Sequence, residues 1–149
     1  MKLVPVGNEE KSVDILFALL AERTPGESIS HQQMPLLENH RKFVMSNPYQ
    51  VWYLIQVKDD YVGTCYITKA REVGISIFQA HRRKGYATQA LRDMMVLRPG
   101  KFYANINPSN EKSQQLFKGL GYKLLQVTYI LDAERKTWQE QMADAEAAE

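Results

Sequence analysis

The chain has a single cysteine, Cys65, in 149 residues. That excludes an intrachain disulfide framework and suits a reducing compartment. Cys65 falls inside a strand-like run, where a small buried hydrophobe is expected rather than a nucleophile. No apolar run approaches the length of a membrane-spanning helix, and the first residues carry no signal-like apolar stretch, so a cytoplasmic protein without membrane attachment is expected. The three histidines, His31, His40 and His81, are scattered, so no metal is expected. A Gly-x-Ser-x-Gly elbow is missing, as are internal repeats and linkers.

What is present is ordinary for one globular domain: 44% hydrophobic and 24% charged residues, with a formal net charge of +2. Charge is unevenly placed. Residues 81–101 hold six cations against Asp93, a net of +5, while residues 132–149 hold six acids against Arg135 and Lys136, a net of −4. The basic centre is compact and suits a polyphosphate. It lacks the continuous basic face with stacking aromatics that nucleic-acid binding asks for, so no nucleic acid is expected. Domain organisation follows: a single domain over 1–131, then an acidic, helix-prone tail over 132–149 in which only Trp138 and Met142 offer apolar contact.

The most informative stretch runs from Val73 to Leu91. Val73, Ile75 and Ile77 alternate with Gly74 and Ser76, a strand pattern. Ala87, Ala90, Leu91, Met94 and Met95 then recur at three and four, one face of a helix. Arg82, Arg83, Lys84 and Gly85 lie between. A helix start presents unpaired N–H groups and partial positive charge, and Gly85 admits a close backbone approach. Two readings fit: a cradle for a pyrophosphate, and a plain solvated basic turn.

Two blocks carry a resemblance. Arg82-x-x-Gly85-x-Ala87 after a strand resembles the acyl-CoA loop of the GNAT superfamily of N-acetyltransferases. Asn110-x-x-Ser113-x-x-Leu116-Phe117 through Gly121-Tyr122 is similar to that family's second block, at a family-like separation. With the strands around them they cover roughly residues 50–131.

The resemblance implies an α/β (α+β) fold: a mixed, twisted sheet of six to seven strands flanked by about four helices, with strands 72–78 and 102–106 splayed to admit acetyl-CoA. It implies that backbone groups of Ile75 to Phe78 hold the pantetheine arm, with the N–H of Ile77 or Phe78 on the thioester oxygen. The amides of Arg82, Arg83, Lys84, Gly85, Tyr86 and Ala87 would take the pyrophosphate, and Asn110, Ser113 and Phe117 would also border the cofactor. Glu72 is the first choice of general base and His31 the second, because 27–40 would border the acceptor site and histidine titrates near neutrality. His40 reads as a satisfied, partly buried histidine.

This chain departs from the family at Phe117, where members often have a tyrosine as general acid. Tyr122, Tyr103 or Ser113 would donate the proton instead, or water would protonate the thiolate, or acyl-CoA is bound without efficient turnover. Tyr122 is the named candidate. The implied activity is acetyl transfer from acetyl-CoA to the primary amine of a small molecule, with an amino sugar, free or nucleotide-linked, as leading acceptor. A protein N-terminus, an amino acid or an aminoglycoside as acceptor, and a non-catalytic acyl-CoA-binding module, are the alternatives. A homodimer is the base-rate expectation for assembly.

The local pattern predicts further elements: a first strand over Leu3–Val6, a helix from Glu9 to about Arg23 capped by Asn8, and a helix beginning near Pro35. A hairpin follows over 50–68, then a strand at 102–106 and a last strand or strand pair over 122–131.

Overall fold

The computed structural model describes residues 1–23, 34–133 and 135–148, without the side chains of 135–138, 141 and 148. His31, and with it the first half of the expected acceptor-bordering segment (27–33), lies outside the described residues, as does the side chain of Trp138.

Four strands form one antiparallel meander: β1 (Lys2–Pro5), β2 (Val51–Val57), β3 (Asp60–Ile67) and β4 (Val73–Ile77), in the order β1-β2-β3-β4. Alternation sets their faces. Tyr53 and Ile55 of β2, Cys65 and Ile67 of β3, and Val73 and Ile77 of β4 pack on Ala90, Leu91 and Met94 of α3 (Tyr86–Leu97) and Phe117 of α4 (Glu111–Gly119). On the other face Leu54 meets Val13, Leu16 and Leu19 of α1 (Ser12–Ala21) and Val44 of α2 (Leu37–Met45). The sheet is thus a layer between two helix pairs. A fifth helix, α5 (Arg135–Ala148), carries the tail. Among the described residues no helix is long and apolar enough to cross a membrane.

The sheet is smaller than the six to seven strands expected. Residues 102–106 contribute one parallel bridge, Glu72 to Tyr103, and residues 122–131 join no strand. Both stretches have strand propensity, but propensity forms a strand only where a partner edge supplies hydrogen bonds. The first helix also begins later than Glu9. The Ser12 hydroxyl donates to the carbonyls of Val6 and Glu9 (2.6 and 2.8 Å), closing a 3-10 turn at Val6–Asn8 before α1. Asn8 therefore ends a turn and caps nothing.

Candidate active site

β4 and the 102–106 segment separate immediately after their bridge. Val73 N–H donates to the Tyr103 carbonyl (2.7 Å) and Tyr103 N–H to the Arg71 carbonyl (3.0 Å). Beyond that pair they diverge, and a cleft of about 710 Å³ opens between β4, the 81–85 loop, the start of α3, residues 105–107 and α4.

The strand's own alternation decides which amides face it. Val73 N–H points toward Tyr103, whereas Phe78 N–H donates to Val62 of β3 (2.9 Å). Backbone groups two apart share a side, so those of Ile75 and Ile77 face the cleft. Of the two amides expected at the thioester oxygen, Phe78's is already committed to β3. The Ile77 carbonyl, on the cleft side, accepts from Arg82 Nε at 3.0 Å.

After a 3-10 turn at Gln79–His81, Arg83 and Gly85 both adopt positive φ (64° and 81°), turning the chain sharply into α3. Gly85 is the N-cap residue, and no side chain caps this helix. The first turn-closing bond runs from Gln89 N–H to the Gly85 carbonyl (3.1 Å), so the preceding amides of the first turn are left for an outside acceptor. A Cβ at Gly85 would meet open space, and Arg83 and Lys84 are exposed beside it. The geometry is that of an anion cradle, with three cations and a helix N-terminus around one opening.

On the opposite wall, Asn110 accepts from Ser113 N–H at 3.1 Å, capping α4. Asn110, Ser113 and Phe117 all line the cleft. Phe117 is otherwise buried and meets the Tyr122 ring edge-on, centroids 4.9 Å apart. Tyr122 itself turns away: its hydroxyl donates to Met95 Sδ at 3.2 Å, and burial pushes its pKa up to about 12. It does not line the cleft. Of the three hydroxyls considered as proton donors, Ser113 is the one that does.

Glu72 also lines the cleft, and its carboxylate accepts a hydrogen bond from the Asn105 amide. Strand alternation puts the Glu72, Gly74 and Ser76 side chains on the same face as Trp52 and Tyr66. There a second cavity, of about 220 Å³, adjoins the cleft, the two sharing Arg23, Phe43, Tyr49 and Tyr66 in their linings. Its wall is aromatic. Tyr49 stacks on Tyr66 (4.1 Å between centroids, 9° between planes) and meets Trp52 at 4.6 Å, and Phe43 lies 5.7 Å from Tyr49. Gly74 makes room for this, because a Cβ there would run into the Tyr66 ring. Trp52 is fixed by its Nε1–H donating to Thr64 Oγ1 (2.9 Å), which in turn donates to the Tyr53 carbonyl (2.7 Å). Burial, with Tyr66 beside it, raises the Tyr49 pKa, so its phenol stays neutral. His40 lines the same cavity, buried against Phe17.

Sequence reasoning did not single out this aromatic wall. Trp52 and Tyr66 fall inside the hairpin expected over 50–68 and Tyr49 just before it, and their convergence needs the β2–β3 register (Trp52 opposite Tyr66). The available signal was Gly74 in a strand, which often marks a close approach.

A splayed strand end with free backbone groups, beside an uncapped basic helix start, is what the two sequence blocks implied. A family model for an acetyltransferase (GNAT) domain matches residues 12–123. The chain belongs to the GNAT acetyltransferase family. Solved structures share the fold. A ribosomal-protein-alanine N-acetyltransferase from Brucella melitensis superposes with a TM-score of 0.66 at 17% identity, covering 81% of this chain and 83% of that one. An aminoglycoside 6'-N-acetyltransferase from Acinetobacter haemolyticus gives 0.62 at 19%, covering 89% and 98%. An acetyltransferase from Salmonella typhimurium, solved with acetyl-CoA, gives 0.61 at 16%, covering 80% and 76%. The chain has no significant match among curated protein sequences. GNAT enzymes use acetyl-CoA for acetyl transfer to amines, and the cleft has the features such a ligand needs: free strand amides for an amide-bearing arm and a cationic cradle for its pyrophosphate.

Proposed function

We propose that this protein transfers an acetyl group from acetyl-CoA to the primary amine of a small molecule bound against the aromatic wall. The observation that carries the reading is the adjacency of the two cavities: anion cradle and splayed strand line one cleft, and the aromatic pocket borders it through Arg23, Phe43, Tyr49 and Tyr66, with Glu72 in the cleft on the pocket's side of the sheet. Acetyl-CoA supplies an activated thioester. The chain's own residues do the rest.

The amides of Arg83 to Ala87, with the Arg82, Arg83 and Lys84 charges, hold the pyrophosphate; the Arg82 amide itself donates to the Gln79 carbonyl (3.3 Å). Ile75 and Ile77 hold the arm through their backbone, and the Ile77 N–H stabilises negative charge developing on the thioester oxygen. Asn110 and Ser113 flank the arm from α4. Glu72, oriented by Asn105, takes the proton from the acceptor ammonium. With Phe117 buried and Tyr122 bonded to Met95, the departing thiolate is protonated by Ser113 or solvent.

The acceptor must present a flat or apolar face to Tyr49, Tyr66 and Phe43. Amino sugars remain the leading class, since the C–H face of a sugar ring packs on aromatic rings. Aromatic or apolar amines are the runner-up, and the breadth of the aromatic wall favours testing both.

The test is thiol release from acetyl-CoA across a panel of amino sugars, aromatic amines and amino acids, with wild type and Glu72→Gln. Glu72→Gln is expected to lower kcat by about 10²-fold or more while leaving acetyl-CoA affinity intact, the size typical of a lost general base. Unchanged kcat in that variant would remove Glu72 from the mechanism. Tight acetyl-CoA binding without turnover on any amine would favour the non-catalytic binding module.

A further inference from the structure

Arg23 stands apart from the other cations of the site. Arg82, Arg83, Lys84 and Lys112 line the cleft alone, whereas Arg23 lines the cleft and the aromatic pocket together. It follows the end of α1, where its N–H donates to the Leu20 carbonyl (3.1 Å). The residue before it is pinned too. The Glu22 carboxylate accepts from the Gln79 N–H (3.2 and 3.3 Å), tying this end of α1 to the turn that leads into the cradle. Arg23 is half-buried, and no carboxylate of the described residues forms an ion pair with it.

Charge around the two cavities is one-sided. Among the described residues Glu72 is the one carboxylate in either lining, and the acceptor ammonium already claims it. Arg23 is the one arginine or lysine in the lining of the aromatic pocket, which Leu16, Leu19 and Leu20 also line. Its charge reaches the aromatic wall: burial and the neighbouring Tyr66 raise the Tyr49 pKa, and Arg23 is the one influence that opposes them. A guanidinium partly withdrawn from water against an apolar wall gains most from an anionic partner, which it meets with two parallel N–H···O bonds. Among the described residues the pocket supplies none.

We propose that the acceptor carries an anionic group of its own, a carboxylate or a phosphate, and that Arg23 binds it. The inference rests on the acetyl-transfer reading, which puts the amine at Glu72. With the amine there, the flat or apolar part of the acceptor lies on Tyr49 and Tyr66, and its anion meets Arg23 in the lining that the two cavities share. The two unlike charges of the acceptor then match Glu72 and Arg23, which fixes its orientation as well as its class. A diamine or polyamine brings Arg23 a second cation and finds no second carboxylate. At about 220 Å³ the pocket is smaller than the ~300–1,000 Å³ of sites for drug-sized ligands, so one ring or one branched chain fills it. Amino acids with an apolar side chain and phosphorylated amino sugars both meet these requirements, and the anion is what they share.

The test uses the full chain and two matched pairs: phenylalanine with 2-phenylethylamine, and glucosamine 6-phosphate with glucosamine. Thiol release from acetyl-CoA is expected to give a kcat/KM about 10- to 100-fold higher for the anionic member of at least one pair. The carboxylate and phosphate arms tell the two sources of the anion apart. Arg23→Met keeps the stem and removes the charge, and is expected to bring that pair level. Arg23→Lys is expected to restore part of the preference. The ratio within a pair is the readout, so a general loss of activity or stability does not imitate the result. Where no amine is turned over, calorimetric titration of the same four compounds into the protein with CoA present separates the two readings. Arg23-dependent binding of an anionic member without turnover upholds this proposal and removes the acetyl-transfer reading. Equal use or binding within both pairs, preference for the neutral members, or a preference that survives Arg23→Met overturns the proposal. So does binding of none of the four.

Discussion

Cys65 shows how burial fixes a side chain's chemistry. It sits mid-β3 with no exposed surface, and desolvation pushes its thiol pKa from 9.0 up to about 12. The residue is inert as a nucleophile, as its strand position implied. The raised pKa has a consequence for stability, with a definite sign. Between pH 9 and 12 the unfolded chain loses this proton and the folded chain keeps it, so the native state binds more protons and stability falls as pH rises. The contribution is fully present below pH 9. Chemical denaturation at stepped pH is expected to show unfolding free energy declining above pH 9, with Cys65 contributing up to about 1.4 kcal/mol per pH unit. Cys65→Val should flatten part of that slope. An unchanged slope would mean that the thiol titrates normally in the fold.

Among the elements, β2, β3 and β4 were legible because alternation repeats in all three, and α3 and α4 because their apolar stripes end in clear stops. The later strands were not. Residues 102–106 and 122–131 have the right residues, but a strand's existence depends on a partner that periodicity does not name. Beside the Tyr103 bridge, the approach to 102–106 is braced by the Arg71 side chain. Its Nε donates to the Lys101 carbonyl (3.0 Å), one terminal nitrogen to the Arg98 carbonyl (2.8 Å) and the other to Gln50 (3.0 Å), with the guanidinium 4.6 Å from the Phe102 ring centroid. A lysine cannot reproduce that fork. Arg71→Lys is therefore expected to loosen the cleft wall, lowering thermal stability by about 1–2 kcal/mol and weakening acetyl-CoA binding severalfold. Calorimetry and ligand titration check the two effects. Unchanged binding would show that this wall is held by other contacts.

For the whole molecule, the basic loop and helix start that form the cradle were readable in the sequence, and the aromatic pocket was not. Arg82 to Ala87 are consecutive, and a phosphate cradle is a local device: one loop, one helix start. The aromatic pocket is assembled from α1, α2, β2, β3 and the turn before β2, whose aromatic residues look like core when read in order. The position of Tyr122 was hidden for a related reason. Tyr122 is close in sequence to the second block, yet the end of α4 directs it to Met95. Separations along the chain located the cradle, whereas the pocket depends on sheet register and helix packing.

The most direct measurement is isothermal titration of acetyl-CoA into wild type and Gly85→Glu, with thermal melts of both. Gly85 has open space beside it but a φ of +81°, so any side chain there costs about 1–2 kcal/mol of strain without a clash. A carboxylate would also repel the pyrophosphate at the start of α3. The account predicts micromolar binding by wild type, lost in a variant that still folds cooperatively. A folded wild type that does not bind acetyl-CoA, or a Gly85→Glu variant that binds it equally well, would contradict the assignment of this cleft.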